Sequence, residues 1–302
     1  MTTMLQLVQQ VTNELGIPTP SIVAGNTNQD VVQILALMNA CGYENMVKHK
    51  WRALTRPHRF YTEYLTTTGT WTTASRVITG IPDTTGLDTT YQVVGNGFNQ
   101  DCYIESVDSA TQVTVNQDLS ASSATNNTIY FQKMQYDLPV DYESIVPRTM
   151  WDKSKHWEML GPEDPQQWEW LLSGYISTGP RVRWRLYGSY FHIWPGFSNE
   201  EYLGFEYRSK GWAATAADVV KNSFTVDTDT CIYPDRLMVN GTKLKYFEAK
   251  GFDTTAMYRN YMEELEAAKA QDMSAANLSF APRPGTVLIG YDNIPDSGYG
   301  SQ

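Results

Sequence analysis

Residues from about 69 to 134 differ in composition from the residues on either side, so the chain cannot follow one structural pattern throughout. The segment is rich in Thr, Ser, Asn and Gly and shows almost no helical periodicity. Turn clusters separate short strand-like runs within it. Those runs cover 77–78, 91–94, 103–107, 112–115 and 129–131. The pattern predicts a small β-barrel or β-sandwich module inserted into a larger fold.

Helical patterns flank this segment on both sides. Thr3 and Gln6 form a capping-box pattern before a helix that ends at Gly16. Thr27 and Asp30 are expected to open a second helix, whose apolar face includes Val31, Ile34, Leu35, Met38 and Cys41. Asp164 followed by Pro165 is typical of a helix start. Periodic patterns near 236–249 and 254–272 predict two further helices.

A β-hairpin is expected between these helical regions. Residues 181–187 and 190–194 alternate apolar and polar side chains around a Gly-Ser pair, which suits a two-residue type II′ turn. The pairing places Arg183 opposite Trp194, where a cation–π contact is possible. A third strand over 202–208 is expected to extend the same sheet.

The sequence thus predicts an α+β fold. Helices from both ends of the chain are expected to form one bundle together with an antiparallel β-sheet. Past residue 273 the chain loses periodicity and gains Pro and Gly, which indicates an extended arm. The expected units are a core of residues 1–68 and 135–272, an inserted β module over 69–134 and a C-terminal arm over 273–302.

The charge balance excludes some classes of protein. The 302 residues carry a net charge of −10, with 19% charged and 13% aromatic residues. A disordered acidic protein would have few aromatic residues and many charges. A general nucleic-acid binder would need a positive field. The composition favours an acidic protein whose largely uncharged polar surface contacts other surfaces.

Targeting and redox features also narrow the interpretation. No Lys or Arg precedes Lys48, so the charged region of a signal peptide is missing, and no apolar run is long enough to cross a membrane. Cys41, Cys102 and Cys231 lie far apart and show no metal-binding or disulfide pattern. We therefore expect folding in a reducing cytoplasm and no membrane partner.

The sequence offers little sign of catalysis. It contains no Walker loop, no G-x-G-x-x-G and no G-x-S-x-G. Its histidines lack metal-ligand spacing: His49, His58, His156 and His192. Carboxylates adjacent in sequence do not supply the separation that glycoside hydrolysis needs: Glu163-Asp164, Glu200-Glu201 and Glu263-Glu264. No enzyme activity and no cofactor are expected.

A basic run near the end of the second helix has two interpretations. It contains Lys48, Lys50, Arg52, Arg56 and Arg59. The run is either an electrostatic contact site for an acidic partner or nucleic acid, or a solvated helix end, where cations are favoured by the helix dipole.

The motifs in order along the chain resemble head-to-tail adaptor proteins of short-tailed bacteriophages, also called tail tubular protein A. The resemblance starts with LVQQVTNELGI and NQDVVQILALMNACGYENMVKHKW, and continues with DLPVDYESIV and TMWDKSKHWEMLGPEDPQQWEWL. RWRLYGSYFHIWP, LGFEYRSKGW and DTDTCIYPDRL complete it. It covers most of residues 1–272, whereas the segment 69–134 departs from the simplest family pattern.

The resemblance implies a non-enzymatic virion protein of the neck and tail, assembled in the host bacterial cytoplasm. It implies a dodecameric ring of this chain between the portal protein and the tail nozzle protein, with genomic DNA passing through the lumen without sequence-specific binding. The C-terminal arm would dock on the portal. Its expected docking residues are Phe280, Pro282, Arg283, Pro284, Leu288, Ile289 and Tyr291.

Two alternatives from other classes stay open on the sequence. One is a tail-associated peptidoglycan glycosidase, which a zymogram would reveal. The other is a carbohydrate-binding tail component that uses the module at 69–134. Trp71 is the only tryptophan in that span, whereas sugar-binding faces usually need several exposed aromatic side chains.

Overall fold

The computed structural model of the protein describes residues 2–95, 97–173 and 182–272. The helices in these residues are α1 Met4–Leu15, α2 Gln29–Lys48, α3 Pro165–Leu172, α4 Asp235–Lys250 and α5 Thr255–Asp272, and a short 3-10 helix spans Arg52–Leu54. The strands are β1 Thr55–Tyr61, β2 Tyr64–Trp71, β3 Val77–Thr79, β4 Tyr91–Val94, β5 Ile104–Ser109, β6 Gln112–Val115, β7 Ala124–Lys133, β8 Gln135–Asp137, β9 Tyr142–Ile145, β10 Trp151–Asp152, β11 Trp157–Glu158, β12 Arg183–Tyr187, β13 Tyr190–Trp194, β14 Tyr202–Ser209, β15 Ala213–Ala214, β16 Val220–Lys221 and β17 Thr230–Cys231. The chain is therefore α+β, as predicted.

Four of the helices share one hydrophobic core. Apolar side chains of α1, α2, α4 and α5 pack in a single buried cluster, together with Trp51, Trp212 and Phe224 from the connecting segments. Helix α4 is central, because all residues over 237–242 are buried. A helix that is buried all round must be surrounded by other elements. Helix α3 lies elsewhere and packs through Trp168 and Leu171.

The helix ends follow the sequence signals closely, with one correction. Thr3 and Gln6 form the predicted capping box, and Gly16 ends α1 in the left-handed conformation. Asp164 caps α3 as predicted. The expected Thr27 cap of α2 is wrong. Asn28 occupies that position, because its side chain accepts the backbone N–H of Asp30.

The segment between β2 and β7 forms one six-stranded sheet in the order β4-β7-β2-β3-β6-β5. Each of the predicted strand-like runs lies wholly or largely in a strand of this sheet. Strand β2 was missed, and it begins at Tyr64, before the predicted boundary at 69. The sheet has its own buried cluster, which includes Trp71, Val93 and Phe131.

The hairpin of β12 and β13 forms as predicted, with Trp184 opposite Ile193 and Arg183 opposite Trp194. The expected third strand is wrong, because β8 pairs with β13 instead. Strand β14 belongs to a second sheet, where β1 pairs with it along one edge and β9 and β10 along the other. Strands β15, β16 and β17 form a small separate sheet.

Helix α2 packs closely against the rest of the core at Gly42. A Cβ atom at this position would collide with the indole ring of Trp212, which is fully buried. Glycine in a helix interior costs stability relative to alanine, so close packing is the physical reason for glycine here.

We expect Gly42→Ala to lower the free energy of unfolding by about 1–3 kcal/mol, because the buried ring cannot move away without strain. Urea denaturation measures this change. Ala267→Gly, at an exposed position in the interior of α5, is the control, because it measures helix propensity alone and should cost about 1 kcal/mol. An increase in stability for Gly42→Ala, as helix propensity alone predicts, would contradict the packing argument.

Candidate interaction surfaces

The interpretation of the basic run as a solvated helix end is wrong for most of its members, because they do not form one patch at the end of α2. Only Lys48 belongs to α2, where its Nζ lies 3.6 Å from a Glu44 carboxylate oxygen and 3.2 Å from the Tyr261 hydroxyl. Lys50 and Arg52 are exposed in the connection to β1. Helix α2 ends at Lys48, so these two residues are not part of the helix end.

The remaining two cations of the run lie in β1. The guanidinium of Arg59 donates through Nη1 to the carbonyl oxygens of His58 and Phe205, at 2.9 and 3.0 Å. Arg56 is half-buried. Arg59 therefore stabilises the pairing of β1 with β14, and Lys50 and Arg52 are the members best placed to contact a partner.

The outward side of α2 forms an uncharged exposed surface. Five of its exposed residues recur at helical spacing, and we call them the α2 face: Val32, Ala36, Ala40, Tyr43 and Val47. None of them is charged. Tyr43 is 59% exposed and Val47 63% exposed. An outward helix side usually carries charges, so an uncharged one indicates contact with another surface.

The helical periodicity of α2 predicts its buried side, whereas its outward side does not stand out by periodicity alone. A usable signal was present, because Asp30, Glu44 and Lys48 are the only charged residues in the twenty-residue helix. Glu44 and Lys48 lie towards the neighbouring helices, where Lys48 contacts Tyr261 of α5 and Glu44 binds Lys245 of α4. These two charges are thus directed away from the α2 face.

The C-terminal end of α5 is fixed beside the C-terminal end of α2. The Asp272 carboxylate accepts the backbone N–H of Arg52 at 2.8 Å and that of Ala53 at 3.4 Å. His49 Nε2 lies 3.3 Å from the same carboxylate. The described fold therefore ends next to the last turn of α2, which carries Val47.

The hairpin and α3 enclose a second group of interacting side chains. The expected contact between Arg183 and Trp194 is wrong, because Arg183 Nη1 donates to Glu163 at 2.6 Å. Arg185 instead lies over the rings of Trp168 and Tyr187, at 4.9 and 5.0 Å. The ion pair with Glu163 draws Arg183 away from the tryptophan ring.

His192 is buried against this group. Its ring meets those of Trp168, Tyr187 and Tyr190 edge-on, at 5.7–6.3 Å. Burial, followed by the nearby Arg185 cation, lowers the pKa of His192 to about 4. The imidazole is therefore neutral at pH 7 and contributes packing rather than charge.

A cavity of about 670 Å³ opens between the six-stranded sheet and α3. Its lining includes two carboxylates, Asp101 and Glu169, with Phe98, Gln117 and Leu172. Burial, and then the Glu169 charge, raises the pKa of Asp101 above its usual range. Sequence reasoning missed this pair because its members are far apart in the chain.

Several carboxylates that the sequence singled out have structural roles. Glu163 binds Arg183, and Asp164 caps α3. Glu201 is buried and accepts from Lys155 at 3.0 Å and Asn199 at 2.6 Å. These contacts leave no adjacent pair among Glu163-Asp164 and Glu200-Glu201 in which both carboxylates are available for catalysis.

Other predicted features are placed as follows. Trp71 is 3% exposed and packs inside the sheet, so it cannot present its ring to a sugar. Cys41, Cys102 and Cys231 are free and buried. The expected docking residues lie outside the described residues: Phe280, Pro282, Arg283, Pro284, Leu288, Ile289 and Tyr291.

Neither a metal site nor a membrane-spanning helix is found among the described residues. Over 2–95, 97–173 and 182–272, no group of His, Cys, Asp and Glu side chains is arranged to hold a metal ion. Within the same ranges, no helix combines the length and apolar character needed to cross a bilayer.

We expect the free energy of unfolding to fall as the pH drops from 7 to 5, with about 1 kcal/mol of the change due to His192. The unfolded chain binds a proton at His192 below about pH 6.5, whereas the folded chain keeps it neutral down to about pH 4. Urea titrations at both pH values of the wild-type chain and of His192→Gln measure this. An equal pH dependence in the two proteins would contradict the assignment.

Comparison with known proteins adds no family. No protein-family model matches the chain. The search of curated proteins also gives no match. The likeness to phage adaptors therefore rests on the sequence motifs quoted above.

Proposed function

We propose that the protein is a virion structural protein, the adaptor ring that joins the portal to the tail nozzle of a short-tailed phage. The observation that carries the proposal is the α2 face. Interface cores are poor in charged residues and rich in aromatic ones such as tyrosine. The α2 face carries no charge and presents Tyr43 at 59% exposure. In a ring, adjacent copies would cover this face.

The proposal includes a division of the chain. A helical bundle with β-sheets, over 1–68 and 135–272, would be the part that builds the ring. The module at 69–134 would project from it. This division is supported by the separate buried clusters of the helices and of the six-stranded sheet.

The arm over 273–302 would reach the portal. It follows Asp272, which the backbone N–H groups of Arg52 and Ala53 hold in place. A segment that begins at a fixed point of the fold is well placed to bind a preformed partner. Its expected contacts are the residues between Phe280 and Tyr291 named above.

The net charge of −10 fits a channel through which DNA passes. Like charges repel, so an acidic protein does not hold the phosphate backbone. DNA would then move through the lumen without specific binding.

The experiment mixes the purified chain with the portal protein encoded in the same genome and images the product by electron microscopy. We expect a ring seated on the portal. The double variant Tyr43→Glu/Val47→Glu should abolish the ring, because it places charges in the contact between copies. Tyr258→Glu is the control, since Tyr258 is 55% exposed on α5, outside the α2 face.

Two outcomes would contradict the proposal. One is a wild-type chain that never associates with the portal. The other is a Tyr43→Glu/Val47→Glu variant that assembles as well as the Tyr258→Glu control, since the contact between copies would then lie elsewhere.

A further inference from the structure

The α2 face is open in the described structure, and an exposed apolar face in a free chain invites aggregation. Val32, Tyr43 and Val47 together leave large apolar side chains in solvent. A protein whose copies are to associate only on a partner must keep such a face shielded from other copies until then.

The chain itself continues from the right place to supply this cover. The described fold ends at Asp272, whose carboxylate is bound to the backbone at Arg52 and lies beside His49. His49 directly follows the last residue of α2. The thirty residues after Asp272 therefore start at one end of the α2 face.

The composition of those residues matches the face. Only Arg283, Asp292 and Asp296 are charged in 273–302, and the run 287–289 is Val-Leu-Ile. An uncharged apolar run and an uncharged apolar face lose no ionic hydration when they meet, and both are removed from water.

The length of chain between Asp272 and residue 287 also suits contact with the α2 face. The run at 287–289 starts fifteen residues after Asp272, and a fifteen-residue linker with random-coil dimensions has an average span of about 20 Å. The α2 face from Val47 back to Val32 covers sixteen residues of helix, a rise of about 22 Å. The run can therefore reach the part of the face around Val47 and Tyr43 without stretching.

A tethered segment has an advantage over a second copy. A short linker gives an effective concentration in the millimolar range, whereas a separate chain must also lose its translational freedom. In the free chain the tethered run meets the face far more often than a second molecule does.

We propose that in the free chain the apolar run at 287–289 docks on the chain's own α2 face. The contact keeps single copies apart. One consequence of this contact rests on the proposed function. In an adaptor, the docking would determine when the ring assembles. A portal that captures the arm uncovers the α2 face, and neighbouring copies then close the ring.

Disulfide cross-linking of the free chain, without any portal, tests the docking. Val47→Cys is combined with Leu288→Cys. The native cysteines are buried and do not compete. The matched control combines Glu266→Cys with Leu288→Cys, because the Glu266 side chain is 65% exposed and lies about 9 Å along α5 from Asp272.

We expect an intrachain disulfide between positions 47 and 288 to form at least about tenfold faster than one between positions 266 and 288. Equal rates would overturn the proposal, since the segment would then sample the surface without preference. Links between chains only would also overturn it and identify a second copy as the occupant. Failure of the ring assay with the portal would leave this result unaffected, so the two proposals fail separately.

Discussion

The helical part of the molecule is organised around a stretch of helix α4 that is buried on all sides. Every residue over 237–242 is buried, and a Cβ at Gly241 would collide with Cys41 of α2 and press on Tyr261 of α5. Such packing requires α1 and α2, from the start of the chain, to meet α5, from its end. The β-sheets lie between α2 and α4 in the sequence. The chain must therefore leave the helical core after α2 and return to it at a neighbouring point before α4. The same packing fixes which sides of α2 and α5 face outward.

This arrangement produces two unlike outer surfaces. The outward side of α5 carries charges, among them Glu263 and Glu266, whereas the α2 face carries none. A charged helix side is well hydrated, and an uncharged apolar one gains free energy when it is covered. The proposed ring and the proposed docking of residues 287–289 both follow from this contrast, because each supplies a cover for the α2 face at a different stage.

Local chemistry made much of the fold predictable. Thr3 and Asp164 cap helices because the capping bond involves residues three apart, and such signals are recognisable in sequence. Long-range pairing was not recognisable. The alternating apolar and polar side chains of β14 suit the hairpin sheet, but β14 pairs with β1, β9 and β10 instead. Arg183 likewise binds Glu163 rather than Trp194, the residue opposite it in the hairpin. The α2 face was likewise missed, because the exposure of a helix side depends on what packs against its other sides.

The number of chains bound per portal is the decisive measurement for the proposed adaptor ring. Native mass spectrometry of the complex formed by the purified chain and the portal gives this number from the total mass. We expect one closed dodecameric ring of this chain on each portal, with no partly filled species accumulating, because each added copy covers an α2 face. A complex with a single chain, or a broad distribution of stoichiometries, would contradict it.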